Sequence, residues 1–176
     1  MRLRFLFLTA MFLGVTLLHA QTAAAEQPVN NEVMKSETIS VDYDEANAII
    51  TAFEAKNAGW RGGAKYLATT QVAGKGKVNH QVFEWHPNRV VHNRELWPKI
   101  EAQPGYKFAD VLTAMKYALD LPDRQMQYPV AILFEQNSRP YCLYLDRLEG
   151  RPQVDVFRLS LDLGYRKSFR FLLVHE

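Results

Sequence analysis

Apolar residues recur along this chain at two different spacings, and each change of spacing marks an element. Ala46, Ile49, Ile50 and Phe53 fall three and four apart, the stripe of an amphipathic helix over residues 42–58. Asp42 with Glu45 three residues on reads as its capping box and Gly59 as its stop. Phe108, Val111, Leu112, Met115 and Leu119 repeat that spacing and predict a second helix over 107–119, ended by Pro122-Asp123. Period two takes over elsewhere. Lys65–Val72 and Val78–Trp85 read as a hairpin around Gly74-Lys75-Gly76. The last third holds four strand-like runs, 128–134, 141–146, 154–163 and 166–174, with short polar turns between them. In the third run Phe157, Leu159 and Leu161 share one face, opposite Val156, Arg158 and Ser160. In the fourth, Phe169, Phe171 and Leu173 likewise share one. Gly164 supplies the hairpin turn between these two runs, and turns this short predict antiparallel pairing throughout.

Between hairpin and second helix, His86–Gly105 carries Pro87, Pro98 and Pro104 and keeps neither period. Within it Val90-Val91 predicts a short strand and 95–102 a helical turn. The fold class is therefore α+β, with two helices packed on one face of a mainly antiparallel sheet. The element order is helix, hairpin, irregular segment, helix, four-strand meander. One core is expected to gather Phe53, Met115, Ile132, Leu143, Leu159 and Phe171.

The N-terminus follows different rules. Arg2 and Arg4 precede an apolar run from Phe5 to Leu18, and Ala23-Ala24-Ala25 offers a small-residue cleavage pattern, so residues 1–25 read as a signal peptide. That run is too short to span a bilayer comfortably and no second one follows, so no membrane anchor is expected. The mature chain would be periplasmic or secreted. Residues 26–40, polar and aperiodic around Pro28, read as a flexible leader to a single domain over 41–176. Composition then changes one conclusion. The chain has 21 Lys and Arg against 19 Asp and Glu, but Arg2 and Arg4 leave with the signal, so the mature protein is formally neutral. A nucleic-acid partner is not expected. The only cysteine, Cys142, leaves no internal disulfide to form; in mid-strand it reads as a buried, inert thiol.

Candidate chemistry concentrates in His80–Arg94. On a regular strand His80, Glu84 and His86 share one side, and two imidazoles with a carboxylate are a ligand set zinc accepts. The spacing matches no established zinc signature, and the expectation is no metal and no cofactor. Trp85, His86, Arg89, His92, Arg94 and Trp97 combine aromatic area with directional polar groups on a proline-restricted backbone, the composition of a binding surface. The residues thus point to a small binding or accessory protein, of inhibitor or immunity type, whose partner is another protein. The alternative is a secreted hydrolase such as a small nuclease, with Glu135, Arg158, Arg170 and His175 cast as acid, base and phosphate clamp. Serine-hydrolase elbows, phosphate-cradling glycine loops and paired cysteines are absent from the sequence, and no catalytic residue is assigned.

Overall fold

Strand pairing begins earlier than the polarity of the chain predicts. In the computed structural model, which describes residues 35–56 and 74–175, Lys35–Asp42 forms strand β1, antiparallel to β2 (Lys77–Trp85) from Lys35↔Glu84 to Asp42↔Lys77. From residue 35 the expected flexible leader is thus a strand. Ile39 and Val41 alternate inward and are fully buried, and one buried face suffices to hold a strand whose other face is polar. The expected signal peptide, the rest of the leader and the first hairpin strand (65–72) lie outside the described residues.

After β1, Asp42 accepts a hydrogen bond from the Asp44 amide and caps a 3-10 turn, Tyr43–Glu45, that runs into α1 (Ala46–Lys56). Ile49 and Phe53 of the sequence stripe are buried, and Ala46 and Ile50 pack beside them. Beyond β2 come β3 (Val91–His92), α2 (Asn93–Glu101), β4 (Tyr106–Phe108), α3 (Val111–Asp120) and α4 (Pro122–Gln127). Helix α3 starts later than its periodicity suggests. Asp110 is its N-cap, accepting from the Thr113 amide, and Lys107–Phe108 upstream is strand. Pro122 opens α4 instead of ending order, because proline at a first helical position gives up no hydrogen bond. The remaining strands are β5 (Val130–Gln136), β6 (Arg139–Leu148), β7 (Arg151–Arg158), β8 (Gly164–Tyr165) and β9 (Arg170–His175).

The main sheet has seven strands in the order β1-β2-β9-β5-β6-β7, with β4 also paired to β9, and it is mostly antiparallel. Strands β5, β6 and β7 form the expected meander. The fourth strand does not continue it. β9 returns across the sheet to lie parallel to β5, through Val130↔Arg170 and Ala131↔Phe171, and antiparallel to β2. The third strand ends at Arg158, and residues 159–169 form the crossover, with only β8 as regular structure. Gly164 is therefore not a hairpin turn. It pairs with His92, so close under the imidazole that a Cβ there would lie 3.0 Å from the ring.

Burial explains this path. Both sheet faces carry apolar side chains, so both need covering. Helices α1 and α3 pack together on one face, over Val82, Val130, Ile132, Leu143, Val156 and Leu172. The opposite face, with Trp85, Ala131, Leu133, Cys142, Phe171 and Leu173, is covered by α2 and by Tyr165, Leu163 and Phe169 of the crossover. A plain hairpin would have left that second face to water. The six residues expected in one core consequently divide: Phe53, Met115, Ile132 and Leu143 lie under the helices, while Phe171 and the half-buried Leu159 lie on the other side.

Candidate functional site

The irregular segment does not present one surface. Trp85 is 0% exposed, packed 5.6 Å from the Phe171 ring at the centre of the second core. It is a structural plug, unavailable to a partner. His86 is held by the crossover through Nε2 and the Lys167 carbonyl. Trp97 lies 5.6 Å from Phe108, its indole N–H donating to Glu101 one helical turn on. Arg89, His92 and Arg94 remain together, at the junction of β3 and α2 with the crossover. Arg89 donates to Glu95 at 3.0 Å, and the Arg94 guanidinium lies 3.9 Å from the Asp162 carboxylate.

That junction is tightly built. The Asn93 amide donates to the Leu163 carbonyl at 3.1 Å and the Arg94 amide to Leu161 at 3.4 Å. The Asn93 side-chain amide donates to the Ser160 carbonyl at 2.7 Å, and His92 Nδ1 meets the Asp162 carbonyl at 3.2 Å. These four bonds fix the loop over 160–163 against the start of α2. The loop then holds Leu161 outward at 72% exposure, near the segment that carries Val90 at 54%. Two exposed aliphatic residues with Arg89 and Arg94 beside them combine apolar area with charged hydrogen-bond donors on a fixed backbone. Leu161, expected on a strand face with Phe157 and Leu159, lies instead beyond the end of that strand. Its flanking Ser160 and Asp162, both turn-favouring, were the available signal.

Two clusters of buried and half-buried polar groups join strands to helices, one around Glu84 and one around Tyr43. Glu84, 3% exposed, accepts from the Tyr117 hydroxyl at 2.6 Å and the Tyr128 hydroxyl at 2.5 Å, with the Arg124 guanidinium 3.7 Å away. Arg124 also donates to Glu37 at 2.8 Å, tying α4 to β1. Tyr43 donates to Asp110 Oδ2 at 2.7 Å. Its one proton is thereby used, so His80 Nε2, 2.8 Å from the phenol oxygen, is the protonated nitrogen and donates to it. Burial, opposed by a hydrogen bond to Thr113 and reinforced by Asp110, pushes Tyr43 up to about 12. His80, Glu84 and His86 are thus drawn to three different sets of partners. Among the described residues no three His, Cys, Asp or Glu side chains are grouped to hold a metal ion. Burial also pushes the Cys142 thiol up to about 12, which leaves it protonated and unreactive at neutral pH.

A cleft opens where the sheet splits. β5 keeps to β9 only as far as Ala131; from Leu173 to His175 that edge of β9 is taken by β4. Between the diverging β4 and β5, under α2, lies a cavity of about 250 Å³. Trp97, Ile100, Tyr106, Phe108, Leu133 and Phe134 give it apolar walls, and Glu101, Lys107, Asp110 and Glu135 line it as well. Sequence patterning held no signal for this cleft, since it arises from two strands far apart in the chain parting company.

The hydrolase residues are dispersed. Glu135 and His175 stand at the same end and on the same face of the sheet, His175 so close over Gly105 that a Cβ there would lie 2.7 Å from Nε2. Arg158 falls on the opposite face by its alternation with Val154 and Val156. Arg170 is at the far end, 4.7 Å over the Tyr128 ring. Compared with known proteins, the chain matches no family model, no curated sequence and no solved structure.

Proposed function

We propose that the chain acts by binding another protein, as an exported accessory, inhibitor or immunity-type factor, through the surface where residues 89–94 meet the loop over 160–163. The observation that carries this reading is Leu161, largely exposed on a loop that four hydrogen bonds hold in place. Holding a large apolar side chain in water contributes nothing to folding, and a fixed backbone loses little entropy on association. Arg94, bonded to Leu161 through its backbone, and Arg89, on the same segment, supply a residue type favoured at interface centres. Of the six residues read as a binding surface, Arg89, His92 and Arg94 belong to this proposal, while Trp85 and His86 serve the core and the crossover. Export to the periplasm or medium rests on the charged and apolar pattern of residues 1–25.

The hydrolase alternative rests on Glu135 and His175 alone, and with Arg158 on the other face and Arg170 at the far end of the sheet the four residues cast for it do not converge, which gives it weaker support. The test of the binding reading is affinity capture by the mature chain from periplasmic extract, with crosslinking from position 90, whose side chain is exposed on the same junction. Leu161→Asp and Arg94→Ala should each abolish or weaken recovery of the same crosslinked protein. Arg139→Ala and Arg151→Ala, in the meander turns, should leave it intact. Loss with the turn variants and retention with Leu161→Asp would relocate the surface.

A further inference from the structure

We infer that the cleft between β4 and β5 is a binding site for a small organic cation, a guanidinium or alkylammonium group with an apolar shank. Size comes first. About 250 Å³ is below the span of pockets that engulf drug-sized ligands but sufficient for one side-chain-sized group. Shape and chemistry follow. Trp97, Tyr106 and Phe108 offer aromatic surfaces, and a cation beside such rings is attracted to their electron-rich faces. Trp97 is oriented for this by its own indole N–H, which is held by Glu101 at 2.5 Å.

Charge selects the sign of the occupant. The lining holds three carboxylates, Glu101, Asp110 and Glu135, against the single amine of Lys107, so an anion is repelled and a cation attracted. The three are not equivalent. Asp110 is committed to Tyr43, to Thr113 and to the cap of α3. Glu135 is exposed and, among the described residues, has neither a hydrogen-bond nor an ion-pair partner, so it is the carboxylate available to a ligand. Among the described residues no strand pairs with the β5 edge facing β9 at Leu133, and its carbonyl adds a neutral acceptor of the kind a multi-donor cation uses.

The cation has two possible sources with this same chemistry, a free amine or the Lys or Arg side chain of a protein, and one titration separates them. In ¹H–¹⁵N spectra of the full mature chain, the Trp97 indole N–H is followed while agmatine, an arginine-containing peptide with blocked ends, and neutral n-butylurea are added. The cations should produce a saturable shift that weakens with added salt, and n-butylurea should not. Glu135→Gln, a surface change that leaves folding intact, should weaken agmatine binding about two- to fivefold. Tighter binding of the peptide than of agmatine assigns the site to a protein side chain; equal or weaker binding assigns it to a free cation. The proposal is overturned by the absence of a saturable shift, by an equal response to n-butylurea, or by unchanged affinity in both Glu135→Gln and Glu101→Gln. It stands apart from the Leu161 surface, whose test reads protein capture and not the Trp97 resonance.

Discussion

Removing a single oxygen from Tyr117 should reveal how much the buried Glu84 network contributes. Tyr117 is 1% exposed and donates to Glu84 Oε1 at 2.6 Å, within good hydrogen-bonding range. In Tyr117→Phe the ring still fills its space on α3, so no cavity is created, but Glu84 Oε1 loses a donor where water cannot enter to replace it. A hydrogen bond to a charged partner is worth about 1.5–3 kcal/mol, and Glu84 keeps Tyr128 and Arg124, so the lower half of that range, about 2 kcal/mol, is expected. Tyr128→Phe should cost less, about 1 kcal/mol, because Tyr128 is half-buried and water can reach the site it vacates. Urea unfolding at pH 7 gives both values, and with a slope of about 1–3 kcal/mol per molar the Tyr117→Phe midpoint should fall by roughly 1 M. The same network sets an alkaline limit. Burial first, then the hydrogen bond to Glu84, raises Tyr117 well above the ordinary tyrosine value. Below pH 10 the phenol is protonated in folded and unfolded chains alike and its contribution is fully present. Above pH 10 the unfolded chain releases that proton and the folded one does not, so stability falls by about 1.4 kcal/mol per pH unit for each such tyrosine. Tyr117→Phe should therefore be less stable than wild type at pH 7 yet lose less between pH 10 and 11. A variant that matches wild type within about 0.5 kcal/mol at pH 7 and declines as steeply at high pH would refute both halves of the reasoning.

Four further outcomes are expected, three from the packing and one from the N-terminal sequence. Phe53→Ala and Phe171→Ala should each cost about 3–5 kcal/mol; because they lie in cores on opposite sheet faces, the double variant should show the sum to within about 0.5 kcal/mol by urea melts. Leu161→Asp should leave the free energy of urea unfolding unchanged within about 0.5 kcal/mol, since the side chain is largely exposed and buries little area. Gly105→Ala should destabilise by more than about 1 kcal/mol, because Gly105 sits at φ +78° and an added methyl would press on His175; a neutral result would mean His175 yields freely. N-terminal sequencing of exported protein should find a start near Glu26, and an intact Met1 would remove the case for export.

Local pattern determined a good deal of this protein. The stripe Ala46, Ile49, Ile50, Phe53 is the buried face of α1, and Phe169, Phe171 and Leu173 share one face as their alternation requires. The hairpins of β5, β6 and β7 also follow from their turns, since two or three residues can join strands only antiparallel. Three matters were decided by tertiary structure. β1 has too few apolar positions to declare itself, and only the offered edge of β2 makes Ile39 and Val41 worth burying. The path of residues 159–169 depends on whether the second sheet face needs a cover, a property of the assembled sheet that no short window contains. The candidate sites belong to the same category. Leu161 stands out because the crossover docks on Asn93, and the cleft exists because β5 leaves β9 after Ala131. Periodicity reports which way a side chain faces within its own element; which element comes to lie opposite, and where two of them part, is settled only by competition for buried area across the whole chain.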